Sequence, residues 1–220
     1  MADGEHTATD AVVAAQAGSD QDPASRPSVD RDRIAAAVLE ILAAIGEDPS
    51  RDGLLDTPNR VADAYAEFFS GVGQDAGEHL ARTIPIEEDG TGDVVLVRDI
   101  AFRSVCEHHL LPFLGTAHIA YLPDGLVIGL GALPKLVDTL ASRPQVQERL
   151  TEQIADALAD RLAPRGVLVV LDAAHGCVST RGSRQLTSTT VTVASRGALE
   201  DPAARSELMT LIGASAAQAR

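Results

Sequence analysis

The chain has 220 residues, 45% of them hydrophobic and 23% charged, a balance that can bury a domain-sized core and excludes a wholly disordered protein. It contains no run of 18 or more apolar residues, and its first 25 residues lack a basic start followed by an apolar stretch, so a soluble cytoplasmic protein with no membrane partner is expected. The net charge of -14 falls wholly within residues 1–93, where 20 acids face 6 basic residues; residues 94–220 hold 12 of each, which excludes nucleic acid for want of a basic face but leaves room for a phosphate pocket built from a few arginines.

Residues 1–28 are rich in Ala, Asp, Ser, Gly and Gln without sustained periodicity, and disorder is expected there. From Asp30, the apolar residues Ile34, Val38, Ile41, Leu42 and Ile45 recur at helical spacing as far as Gly46, a suitable C-terminal cap. A second helix is expected to start at Thr57-Pro58, with Thr as cap and Pro in the first turn, and to run to Gly71. Together these form a helical hairpin within residues 29–92, ahead of a main domain spanning 93–220.

From Asp93 the character turns to strand, with VVLVRDI and then GTAHIAYLP, both rich in β-branched or aromatic residues. Helices are expected over Leu133 to Ala141 and Gln145 to Leu162, strands at GVLVVLDAAH and STTVTVAS, and a short helix at DPAARSELMTLIG. The order strand, strand, helix, helix, strand, strand predicts an α+β domain, an antiparallel four-stranded sheet with two helices on one face.

Only two cysteines occur, and a structural disulfide between them is not expected in a cytoplasmic protein. Cys106 stands three residues before His109 in SVCEHHLLPF, a spacing that lets both reach one metal ion from a turn leaving a strand. Cys177 follows His175 by two residues in AAHGCVSTRG, and on an extended segment the two side chains share a face. Two thiolates and one imidazole suit zinc and leave a fourth position for water, as in catalytic sites. Three readings stand at this point: an open Cys2His site, a closed site in which His108 or His175 is the fourth ligand, and cysteines that are merely buried apolar residues. His6, His79 and His118 carry no motif and are expected at the surface or in strands.

The segments EDPSRDGLLDTPNRVADAY, SVCEHHLLPF, RPQVQERLTEQIADAL and AHGCVSTRGSRQLTSTTVT resemble the GTP cyclohydrolase I family, over about Gly46 to Gly213. The resemblance implies the tunnelling fold, a toroidal homodecamer and active sites at subunit interfaces. It further implies hydrolysis at C8 of GTP, release of formate and formation of 7,8-dihydroneopterin triphosphate, the first step of pterin and tetrahydrofolate biosynthesis. By the same resemblance Cys106, His109 and Cys177 hold zinc, while His108 and His175 carry protons during ring opening, a task suited to a side chain that titrates near neutrality. Gln147 and Glu148 match the residues that hold the guanine edge, a carboxylate accepting from N1–H and the 2-amino group. Without the motif, Glu148 reads as a solvated helix charge. Arg181 and Arg60 match phosphate arginines, the latter reaching into a neighbouring subunit, and Arg184 is a further candidate nearby.

At the triphosphate end the chain departs from the pattern. The family carries Gly-Leu-Ser-Lys with an Arg three residues on; here GLGALPK places Gly131 and Ala132 at the Ser and Lys positions and Lys135 at the Arg position. One hydroxyl and one cation are missing, and a point charge replaces a bidentate fork. A weaker grip on GTP, with the C8 chemistry retained, is the expectation.

Overall fold

The computed structural model describes residues 29–86 and 93–218, and side chains as far as residue 213. The segment 1–28, with its expected disorder and His6, lies outside the described residues.

Helix α1 spans Arg31–Ala44, and the Asp30 carboxylate caps it by accepting from the Arg33 amide at 3.0 Å. It ends at Ile45, and Gly46 follows with φ 83°, a conformation that favours glycine. Helix α2 spans Thr57–Phe68. Thr57 is its first helical residue and not its cap; Asp56 stands at the cap position without a capping bond, because its carboxylate pairs with Arg60 one turn on. Helices α1 and α2 pack against each other. The chain leaving α2 is tied down by Arg143, whose guanidinium donates to the carbonyls of Gly71 and Gln74 at 2.8 and 2.7 Å.

A 3-10 turn over Ala76–Leu80 leads into strand β1, Thr83–Pro85. Strands β2, Val95–Cys106, and β3, Pro112–Leu122, form a long antiparallel hairpin. Its register shifts between Val97 and Ile100, where Asp99 adopts φ 59°, so a bulge turns this end of the strand. Strand β4, Leu126–Ile128, pairs with β1 in a small two-stranded sheet, and helix α3 follows over Ala132–Ala141. Pro144–Gln145 then forms a two-residue strand, β5, parallel to the end of β2.

Helix α4 consequently begins at Gln147, not Gln145, and runs to Leu162. Strand β6 occupies Gly166–His175, a single helical turn α5 covers Gly176–Ser179, and strand β7 spans Thr190–Gly197. After a 3-10 turn at Ala198–Glu200, helix α6 extends over Pro202–Gln218, longer than its apolar pattern predicts.

The four expected strands are antiparallel neighbours, and β5 adds a fifth at the edge, in the order β5-β2-β3-β6-β7. Alternation along the strands divides the core. Ile119, Tyr121, Val167, Val169 and Leu171 face α3 and α4, where Leu133, Leu136, Leu150, Ile154 and Leu158 are wholly buried. Ala120, Leu168 and Val170 face the other way, toward Leu199 and the α6 residues Leu208 and Ile212. The domain thus carries helices on both faces, where the sequence predicts them on one. The second face escapes the pattern because so many α6 residues are small. Among the described residues no helix is long and apolar enough to cross a membrane.

Candidate metal centre and active site

Cys106 closes β2, and the tight turn after it is built by backbone bonds from the Leu110 amide to the Cys106 carbonyl and from the Cys106 amide to the Leu111 carbonyl, both 2.9 Å. Leu110 reaches φ 51° within this turn. The short strand β5 braces it, since the Glu107 amide donates to the Gln145 carbonyl at 3.0 Å. Glu107 itself forms a two-pronged ion pair with Arg149 in the first turn of α4, at 2.5 and 3.0 Å. The hydrogen bond from Arg149 holds the Glu107 carboxyl below the usual carboxylate range.

The second half of the site lies where β6 ends. His175 is the last strand residue and Cys177 sits in the helical turn α5, so the two are not on one extended face as their spacing suggested. The turn brings Cys177 onto the metal side. Donor atoms of Cys106, His109 and Cys177 lie within 4.8 Å of one another, close enough for one ion to bridge all three. Burial raises the Cys177 thiol, and the neighbouring Cys106 raises it further, while the Arg181 charge opposes both. Two thiols held this close favour a cation between them, since each thiolate resists the other in its absence.

His175 lies half-buried beside this group, stacked on Phe113 with ring centroids 4.7 Å apart and planes 9° from parallel. Burial pulls it below the ordinary histidine value and the Glu148 charge works against that. Its Nε2 is 2.7 Å from Gln147 Oε1. The Gln147 amide nitrogen donates to the Leu171 and Thr190 carbonyls and to the Thr192 hydroxyl, at 3.2, 2.8 and 3.1 Å. With its nitrogen committed to acceptors, Gln147 must present oxygen to the ring. His175 therefore carries its proton on Nε2 and keeps Nδ1 free.

The remaining sequence-predicted residues separate into two sets. His108 is largely exposed, with Nδ1 4.0 Å from Cys106 Sγ, and Glu148 is exposed in the first turn of α4 near enough to act on His175. Arg181 stands in the exposed segment after α5, within electrostatic reach of Cys177, and Arg184 follows with φ 51°. His108, Glu148 and Arg181 thus stand at or near the Cys-His-Cys group. Arg60 and Lys135 do not: Arg60 pairs with Asp56 on α2, and Lys135 lines a different cavity at the start of α3. The buried side chain of Gln147 has its amide nitrogen committed to Leu171, Thr190 and Thr192, with none left over for a ligand. Glu107 and Arg149 were missed as site residues; their only signal was one acid within CEHH and one base within QER.

A family model described as GTP cyclohydrolase I matches residues 34–213. The chain belongs to the GTP cyclohydrolase I family. It is 64% identical over 188 residues to the GTP cyclohydrolase 1 of Leifsonia xyli subsp. xyli, a match covering 86% of this chain and 98% of that protein. The GTP cyclohydrolase 1 of Rhodopirellula baltica is 54% identical over 189 residues, with 86% and 81% covered, and that of Carboxydothermus hydrogenoformans is 53% identical over 187 residues, with 84% and 96% covered. The family match takes in the whole Cys-His-Cys group, all of α2 and α1 from Ile34 on.

Proposed function

We propose that the chain is a zinc-dependent GTP cyclohydrolase I, which hydrolyses GTP at C8, releases formate and forms 7,8-dihydroneopterin triphosphate at the head of pterin and tetrahydrofolate biosynthesis. The observation that carries this reading is the convergence of Cys106, His109 and Cys177, with His175 beside them, in a chain of this family. Two sulfurs and one nitrogen suit zinc, and three protein ligands leave one position open. Bound there, zinc would supply an acidified water for addition at C8.

The chain's own residues provide the rest. His175, oriented through Nε2 by Gln147, takes and returns a proton at Nδ1. His108, exposed on the turn, serves as the second proton carrier on the solvent side of the site. Glu148 accepts from the guanine N1–H and 2-amino group, while Arg181 meets the phosphates. Gln147 contributes by holding His175 and not by touching guanine with its side chain.

Self-association completes the site in this reading, as a homodecamer of tunnelling-fold subunits. Arg60 and Lys135 stand apart from the metal group within one chain, so a neighbouring copy must bring its own. The sheet has free edges to pair: β7 is an outer strand with Val191 and Val193 exposed, and β5 covers only Val105 and Cys106 of β2. Closing such edges onto further copies would leave none open.

The test is incubation of metal-analysed protein with GTP, GMP and guanosine, following formate release and pterin absorbance together, with molar mass in solution measured alongside. Formate and pterin from GTP are expected. Formate without pterin would mean ring opening without cyclisation, and no product from any of the three would end this reading.

A further inference from the structure

Two separate pieces of chain make the site: the turn after β2, which carries Cys106, His108 and His109, and the first turn of α4, which carries Gln147 and Glu148. Two ties fasten one to the other. The Glu107 amide donates to the Gln145 carbonyl at 3.0 Å, where β5 runs beside the end of β2. The Glu107 carboxylate accepts from both terminal nitrogens of Arg149, 42 positions on in the chain, at 2.5 and 3.0 Å. Glu107 lies between a metal-site cysteine and His108, and Arg149 directly follows Glu148.

Arg149 has an acid one turn on in its own helix, Glu152, at a spacing where helix ion pairs commonly form. That acid is held by Arg196 of β7, which also engages Asp156, so Arg149 reaches across to the metal turn. The ion pairs Arg103–Glu67 and Arg161–Asp75 also join different elements, but none of those four residues adjoins a site residue in sequence. With side chains 29% and 48% exposed, the Glu107–Arg149 pair adds little to stability. Neither side needs it to fold: the turn is closed by its own backbone bonds, and α4 is anchored by the buried Leu150, Ile154 and Leu158. A two-pronged guanidinium fork fixes angle as well as distance, and that is the contribution left to it.

We propose that Glu107 and Arg149 are positioning residues, a strut that sets the spacing between the Cys-His-Cys group and Glu148. The inference rests on the GTP reading above, in which Glu148 holds the guanine edge while the reaction takes place at C8. Those two ends of one rigid purine must be met at once, so a strut between their protein partners aligns the reacting carbon without touching the substrate. Loss of the strut leaves the ligands and Glu148 in place, each still able to bind. What it loses is their mutual alignment, and misplacement by about 1 Å is enough to slow a reaction strongly.

Steady-state kinetics with GTP test this on the full-length metal-loaded protein, for the wild type, Arg149→Met, Arg149→Lys, Glu107→Gln and the double variant Glu107→Gln/Arg149→Met, beside metal content and urea midpoint. Arg149→Met and Glu107→Gln are each expected to lower kcat about 10- to 100-fold, with KM, bound metal and midpoint nearly unchanged. Arg149→Lys should recover part of the loss, and the double variant should be no slower than the worse single one, because the two residues act as a unit. An unchanged kcat in Arg149→Met overturns the proposal. So does a fall in kcat that follows loss of metal or of stability, which would make the pair a plain structural support, and so does a double variant whose loss is the product of the single losses. A wild type without turnover of GTP removes the GTP reading and this inference with it, whereas an active wild type beside an equally active Arg149→Met removes the inference alone.

Discussion

Gln147 accepts a hydrogen bond from His175 while its own amide nitrogen is spent on Leu171, Thr190 and Thr192, so one buried side chain joins α4, β6 and β7 and sets the tautomer of a site histidine. Gln147→Ala is expected to lower kcat by about 10- to 100-fold, the range seen when a residue orienting a site group is lost. It should also destabilise the fold by about 1 to 3 kcal/mol, since buried carbonyls lose their donor. Gln147→Glu keeps an acceptor for His175 but offers the two carbonyls no N–H, and it should retain more turnover than its stability suggests. Turnover beside urea midpoints checks both; equal losses in the two would reduce Gln147 to a structural role.

The division between metal ligands and proton carriers predicts opposite outcomes at neighbouring positions. Cys177→Ser should lose bound zinc and activity together. His175→Ala should keep zinc and lose most turnover, because Gln147 and not an ion holds the ring. Metal content by atomic absorption after gel filtration distinguishes them. Release of zinc from His175→Ala would favour a closed four-ligand site.

Gly176 stands between those two residues, and a Cβ there would lie 2.6 Å from the Pro112 carbonyl oxygen. Backbone cannot yield as a side-chain tip does, so Gly176→Ala should shift the α5 turn away from β3 and carry Cys177 with it. About 1 to 3 kcal/mol of stability is expected to go. Zinc affinity should fall even though no ligand is changed, and competition with a chromophoric chelator measures it.

Stability should depend on pH through His118, a buried residue of β3 on the face toward α6. Burial lowers its pKa from 6.5, helped by Arg98 and opposed by Asp99 and Asp172. Below about 6.5 the unfolded chain therefore binds a proton that the folded one refuses, and stability falls with pH until the folded value is passed. Above about 6.5 the contribution is complete and flat. Urea midpoints at pH 5.5 and 7.5 should differ less in His118→Gln than in the wild type; an equal difference would place the acid sensitivity elsewhere.

The metal ligands were legible because Cys-x-x-His is a local pattern, and a turn preserves local spacing. The position of Cys177 was legible only as identity: a two-residue spacing reads as one strand face, yet Gly176 allows the chain to coil where β6 ends. That the Gln147 side chain is buried and tied to His175 carries no local sequence signal, because it depends on β7 packing over the start of α4. The same holds for β5, which is too short for any periodicity and exists because Val105 and Cys106 offer it an edge.

Cys106 ends β2 and Cys177 follows β6, and between those strands in the sheet lies β3. The first hairpin alone brings just Cys106 and His109 together; the third donor arrives only when β6 has docked along the far side of β3. A nascent chain can therefore offer no more than a weak two-ligand hold on metal, and full affinity is a late event in its maturation. Tightly bound metal then reports something besides catalytic competence: it marks chains whose central strands have found their correct neighbours.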